Sequence, residues 1–266
     1  MNIVKDCKVE DLFSLKNKVV LVVGAGGLGE YIGRGMAMNG AKVVFTNTSI
    51  GKAEKVQAEM AKDGLACDIY QLDVTNDEQV TEVVAKIAEK YGRIDVLVNV
   101  AGIVLANTLD TITEADIDKT IAINVKAPMF ATQVAARQMK KQGRGSIIVI
   151  ASTAGLMGVA NRMAYSTSKG ALVIMCKSIA AELAGTNVRI NCICPGTVDT
   201  PSMEKRFQAM PDPVAGKAQF LARELNGRIG TADEIANTVL FAASDEVDYL
   251  NGSTIVVDGG MTCCTR

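Results

Sequence analysis

The apolar run Val19-Val20-Leu21-Val22-Val23 passes without a break into Gly24-Ala25-Gly26-Gly27-Leu28-Gly29, and helical periodicity then continues as far as Gly40. Few folds accept that order. A buried strand, a glycine turn and a helix packed back across the strand form the first half of a right-handed β-α-β unit, whose next strand lies parallel to the first. The alternation recurs downstream. Residues 42–46, 66–71, 96–99, 147–150, 189–194 and 254–257 are short β-rich runs, and residues 53–62, 77–91, 114–141 and 164–183 have helical spacing. With the opening run these make seven strands separated by helices, which predicts an α/β fold. The expectation is a single Rossmann domain over residues 1–266 with a doubly wound parallel sheet, because no Pro/Gly/Ser-rich linker or internal repeat interrupts the series. Residues 199–228 break the rhythm: Pro201, Pro211 and Pro213 punctuate a charged stretch holding Met203, Phe207, Met210, Phe220 and Leu221. A helical lid over a substrate pocket is expected there.

Glycines let a backbone approach a pyrophosphate closely, and the free N–H groups of the following helix stabilise its charge. Gly24, Gly26, Gly27, Leu28 and Gly29 are therefore the candidate seat of a dinucleotide. An acidic residue about 20 positions further on would bond the adenosine ribose. The second strand instead runs into Thr46-Asn47-Thr48-Ser49, with neither carboxylate nor arginine. Asn47 can bond a ribose hydroxyl without repelling a 2′-phosphate, and Lys52 lies near enough in sequence to reach one. NAD(H), placed slightly ahead, and NADP(H) both stay open, turn and solvated surface being the plainer roles of these two residues.

Charge and cysteine usage narrow the partners. With 28 basic and 29 acidic residues the chain lacks the basic footprint of a nucleic-acid binder, so a small molecule is the expected partner. The seven cysteines contain no C-x-x-C pair and suit a reducing cytoplasm. Residues 1–18 carry Lys5, Asp6, Lys8, Glu10 and Asp11 among apolar residues and so lack the apolar core of a leader, and no stretch is apolar enough to span a bilayer. A cytoplasmic protein without a membrane partner is expected. The absence of histidine removes the commonest general base, the commonest zinc ligand and every Ser-His or Cys-His nucleophile. No metal site is expected, and proton transfer needs another group. Tyr165 and Lys169, four apart, share a helix face on which the ammonium favours the tyrosinate. Bringing the phenol down from about 10, with the help of a positive nicotinamide ring, is a task of roughly 3 to 4 kcal/mol.

From the glycine turn to Val257-Asp258-Gly259-Gly260 the chain resembles the short-chain dehydrogenase/reductase family. Asn99-Val100-Ala101-Gly102 resembles its N-N-A-G stretch, Asn124 matches its asparagine, and Ser152 precedes Tyr165 by the usual interval. Pro195-Gly196-Thr197-Val198-Asp199-Thr200 resembles the loop that meets the nicotinamide carboxamide. One departure is that Gly24, Gly27 and Gly29 stand one residue closer at the first gap than the family's G-x-x-x-G-x-G. The resemblance implies Tyr165 as general acid/base, Lys169 as pKa setter and ribose contact, Ser152 as carbonyl polariser and Asn124 as anchor of a water relay. It adds Asn47, Asp73, Val74, Asn99, Ala101, Gly102, Pro195, Gly196, Val198 and Thr200 to the cofactor contacts. Hydride transfer builds alkoxide character on a substrate oxygen, which Ser152 and Tyr165 can stabilise as a secondary alcohol and a ketone interconvert.

Asn161-Arg162 and the run from Cys192 to Ser202 resemble the cytosolic type-2 3-hydroxybutyrate dehydrogenase-like subgroup, whose three pocket arginines match Arg162, Arg206 and Arg223. Guanidinium forks would clamp the carboxylate of a small hydroxy acid or sugar acid beside Ser152. Glu204, Lys205 and Glu224 flank Arg206 and Arg223, so ordinary solvated charges are the other reading of those two. The same catalytic motifs serve a 3-oxoacyl reductase or a sugar, polyol or steroid dehydrogenase, and a dinucleotide-binding sensor without turnover is the alternative of another class. The resemblance further implies a homotetramer paired through residues 114–141 and 164–183.

Overall fold

The structure is a computed structural model that describes residues 12–263. Lys5, Asp6, Lys8, Glu10 and Asp11, on which the N-terminal expectation rests, lie outside the described residues, as does Cys264. Seven parallel strands form the central sheet: β1 (Val19–Val23), β2 (Lys42–Asn47), β3 (Cys67–Gln71), β4 (Val96–Asn99), β5 (Gly145–Ile150), β6 (Val188–Pro195) and, last in the chain, β9 (Thr254–Val257). Their order is β3-β2-β1-β4-β5-β6-β9. Strands covered on both faces need no alternation, which is why β1 and β4 are apolar at nearly every position and buried throughout.

Helices cover both faces. Helix α1 (Leu28–Met38), α2 (Ile50–Lys62) and α9 (Ala232–Ala243) bury Ile32, Met36, Met60 and Val239 with Phe45 of β2 on one side. On the other, α3 (Asp77–Tyr91), α5 (Ala127–Gln142) and α6 (Met163–Glu182) bury Ile87, Met139 and Leu172. Successive strands pass outward from β1 to β3 and then return to add β4 on the opposite side of β1. This reversal leaves a crevice beyond the carboxyl ends of β1 and β4, where open α/β sheets take their ligands.

The stretch expected as one helix over residues 114–141 is three pieces: α4 (Glu114–Ile121), a π turn (Ala122–Lys126) and α5. Pro128 is the physical reason. It has no N–H to give to the carbonyl four residues back, that of Asn124, and its ring crowds that carbonyl, so the helix widens there. Residues 199–228 contain two short helices, α7 (Pro201–Gln208) and α8 (Pro213–Leu221), each starting on proline after a capping residue, Thr200 and Asp212. Two strands of two residues, β7 (Val198–Asp199) and β8 (Gly230–Thr231), pair beside this excursion and tie its ends together. Among the described residues no helix is long and apolar enough to cross a membrane.

A Cβ on Gly33 of α1 would lie 2.1 Å from the Phe45 ring, so helix and sheet meet there at glycine distance. Gly33→Ala is expected to lower stability by about 1–3 kcal/mol. Phe45→Leu in the same chain should recover part of that loss, as urea unfolding would show; simple additivity of the two losses would refute the contact.

Candidate active site

The glycine turn fills the crevice floor. Gly24, Gly26 and Gly27 take φ values of 115, 155 and 51°, which favour glycine. A Cβ on Gly29 would stand 1.9 Å from the Gly24 carbonyl oxygen and one on Gly24 3.0 Å from the Ala101 nitrogen, yet above Gly26 there is nothing within 4 Å. The turn is thus closed beneath and open above. Gly27 precedes α1 without a side-chain cap, and the Gly29 N–H donates to the Gly26 carbonyl at 3.1 Å. The shortened glycine spacing still builds a cradle that fits an anionic pyrophosphate.

Several polar residues around this cradle hold the protein to itself. The Asn47 amide donates to the Ala25 carbonyl (2.9 Å) while its oxygen accepts from the Ser49 N–H (3.0 Å), so this side chain braces the turn from the end of β2. Asn99 is buried and donates to Thr132 Oγ1 of α5 at 3.1 Å. What faces the turn after β4 is backbone, with the N–H groups of Val100 and Ala101 both donating to the Val23 carbonyl ahead of Gly102. Asp73 accepts from the hydroxyl and N–H of Thr75, and these bonds hold its carboxyl below the usual range. Val74 and Leu28 pack on the two cores. Across the crevice, Pro195 ends β6, and Gly196 donates to the Val257 carbonyl at 3.0 Å, where a Cβ would meet Asp258 at 2.9 Å. Val198 pairs with Gly230, and Thr200 caps α7 by accepting from Met203 N–H. The first turn of α7 lies over the cradle, with Ser202 Oγ 3.7 Å from where a Gly27 Cβ would be.

Ser152, Tyr165 and Lys169 come together beside the cradle. After β5 the chain makes a 3-10 turn (Thr153–Gly155) that Ser152 caps, and a Cβ on Gly155 would lie 2.5 Å from the Lys169 backbone. Glycine at 155 therefore sets α6 against the turn and turns the Tyr165 phenol to the Ser152 hydroxyl, whose hydrogen bond favours the phenolate. Burial outweighs that bond and keeps the phenol above its ordinary value, with the positive charges of Arg206 and Arg162 opposing it. The Lys169 amine lies 5.8 Å from the ring centroid, donates to the Ile150 carbonyl at 2.9 Å, and is itself pulled down to about 8 by burial. Asn124 is fully buried, with its side chain spanning both groups of the Ile103 backbone (2.8 and 2.9 Å) and Ser168 Oγ (3.0 Å). The π turn leaves its backbone carbonyl without the usual partner from Pro128.

Three guanidiniums gather at the edge of this cluster. Arg162 caps the start of α6 and donates to the Asn161 carbonyl at 2.6 Å. Arg206 of α7 and Arg223, just past α8, both stack on Phe220, at 5.0 and 4.1 Å from its centroid. All three are half-buried, and none makes an ion pair among the described residues. Burial lowers each of them first, and the other arginines add to this at Arg162 and Arg206. The acids beside them in sequence do different work. Glu204 is exposed and accepts from Gln208 at 2.7 Å, whereas Glu224 is buried, raised by burial, and faces Thr197 and Arg223. Glu224 and Gly155 are site residues that spacing and motif do not reveal.

A doubly wound parallel sheet with a glycine cradle at its strand reversal, and a phenol, a hydroxyl and an amine beside it, is the frame of a dinucleotide-dependent oxidoreductase. Residues 23–262 match the family model described as enoyl-(acyl carrier protein) reductase. The chain is 40% identical over 243 residues to dehydrogenase/reductase SDR family member 6 of Xenopus laevis, covering 91% of this chain and 96% of the relative. It is 38% identical over 248 residues to a 3-oxoacyl-[acyl-carrier-protein] reductase of Thermotoga maritima, covering 93% and 98%. The structure of a short-chain dehydrogenase/reductase from Burkholderia xenovorans superposes with a TM-score of 0.92 at 30% identity, covering 95% of this chain and 99% of that one. The chain belongs to the short-chain dehydrogenase/reductase family, whose members are oxidoreductases using NAD(P)(H).

The low Lys169 value makes a stability prediction. Its amine falls from an ordinary 10.5 to about 8, so the unfolded chain holds the proton more tightly than the folded one. The charged form therefore costs stability below about 8, and the cost is relieved as pH rises from about 8 to about 10.5. Between about pH 7.5 and about pH 9.5 the wild type should gain about 1–2 kcal/mol relative to Lys169→Met in urea unfolding. Parallel pH dependences of the two proteins would refute the burial argument.

Proposed function

We propose that this protein is an NAD(P)(H)-dependent dehydrogenase of a small hydroxy acid or sugar acid, interconverting its secondary alcohol and a ketone. The observation that supports this reading is the gathering of three guanidiniums beside Tyr165, of which Arg162 and Arg206 have no acid acting on them among the described residues. When bound, the nicotinamide supplies or takes up the hydride. Tyr165 gives a proton to the substrate oxygen in reduction and takes it back in oxidation, and the Ser152 hydroxyl donates a hydrogen bond to that oxygen as charge develops on it. Lys169, titrating near about 8, can exchange a proton close to neutral pH, and the Asn124 carbonyl is the anchor for water leading outward. Arg162, with Arg206 and Arg223, holds the carboxylate so that the hydroxyl carbon faces the cradle. Because β2 ends with neither carboxylate nor guanidinium, both cofactors are accommodated.

A second reading, a 3-oxoacyl reductase, is favoured by the partly exposed side chains of Leu156, Met157 and Met163, an apolar rim near Tyr165 that suits a longer acyl chain. A screen of hydroxy acids, sugar acids, polyols, steroids and 3-oxoacyl thioesters, followed by nicotinamide absorbance with NAD and NADP in parallel, separates the two. Arg162→Ala is expected to raise KM for a carboxylate substrate by about tenfold or more, while a neutral ketone of similar size is little affected. Equal losses on both would sink the anion clamp. The same reading includes a homotetramer, supported by exposed Met129 on α5 and Ile174 on α6. Light scattering should give a mass four times that of the chain, and a monomeric mass would remove this part.

A further inference from the structure

The charge held around the anion pocket exceeds what one carboxylate neutralises. Arg162, Arg206 and Arg223 bring three positive charges, each half-buried and within electrostatic reach of another. Glu224 is the acid that faces one of them, Arg223, and it lies buried against Thr197 on the cofactor loop. With Glu224 ionised, two positive charges still lack a counter-charge. An uncompensated charge removed from water is expensive, so a ligand that leaves one unpaired gains less than one that matches both.

The charges also differ in what they reach. Arg162 and Arg206 act on the Tyr165 phenol, whereas Arg223 acts on Arg162 and Arg206 but is not among the groups influencing the phenol. Arg206 lies between the two groups, acting on the phenol and sharing the Phe220 ring with Arg223. Phe220 fixes Arg206 and Arg223 by stacking with both, and is itself held edge-on by Phe207 at 5.3 Å. At the far end, the Nε of Arg223 is buried and has no hydrogen-bond partner. An orphaned guanidinium donor in a preset position is what a second acidic group would satisfy.

We propose that the substrate is a hydroxy dicarboxylate, with its nearer carboxylate between Arg162 and Arg206 and its farther one at Arg223. This rests on the anion-clamp reading above and deepens it from an anion to a dianion with separated charges. The nearer group orients the hydroxyl carbon, and the farther one adds affinity and rejects monocarboxylic acids of the same length by leaving their apolar end against Arg223.

The test uses ligands of equal carbon number on the cofactor-loaded protein, so that binding is read without turnover. Succinate, butyrate and butanamide are titrated calorimetrically at about pH 7.5, where both succinate carboxylates are ionised, with inorganic phosphate as a further arm. Succinate is expected to bind at least about tenfold more tightly than butyrate, and butyrate more tightly than butanamide. Arg223→Gln should shrink the succinate-to-butyrate ratio towards about two. Succinate no tighter than butyrate in the wild type, with both tighter than butanamide, overturns the dicarboxylate and leaves the anion clamp standing. Phosphate binding as tightly as succinate overturns it in favour of one doubly charged group. Butanamide as tight as either acid overturns the anion clamp itself. The wild-type ratios decide these outcomes whatever the variant does to the fold.

Discussion

The contact between the Gly29 position and the Gly24 carbonyl, too close for any side chain, fixes where α1 leaves β1. From it follow the open space above Gly26, a start of α1 that no side chain caps, and the seat of Ala101 against Gly24. A second glycine contact of the same kind, Gly155 on the backbone of Lys169, places α6 and so the phenol and the amine. Two backbone approaches thus set the two halves of the site, and the sheet between them supplies the rigid spacing.

The electrostatics of the site are decided by removal from water more than by any single pair. Burial raises the Tyr165 phenol and pulls the Lys169 amine down, each against its own charge. Both groups are therefore held nearer their neutral forms than their spacing on the helix suggests. The opposing positive field comes from Arg162 at the start of the same helix and from Arg206 on α7. The proton affinity of the phenol is therefore set by two helices rather than one.

Much of this was legible in the sequence, for reasons that can be named residue by residue. β1 and β4 coincide with their apolar runs because both faces are covered, while β6 extends beyond residues 189–194 because its ends are set by pairing with β5 and β9 rather than by hydrophobicity. The gathering of Ser152, Tyr165 and Lys169 follows from motif order. Side-chain direction does not: Asn47 and Asn99 are polar strand ends in the sequence, and their roles as braces depend on where Ala25 and Thr132 stand. The π turn is invisible to helical periodicity, its signal being Pro128 four residues after Asn124. Strands of two residues such as β7 and β8 have no pattern to detect, and Glu224 is told from Glu204 only by burial.

The position of α7 links matters that chemistry would treat separately. Ser202 stands over Gly27, and Arg206 follows four residues later, one turn along the same rigid helix and on the same side of it. Both feet of the excursion are anchored through β7 and β8. The helix therefore carries both a hydroxyl above the glycine turn and one of the guanidiniums that act on Tyr165. Whatever sets the pose of this one helical turn therefore sets Ser202 above the glycine turn and Arg206 beside Phe220 together.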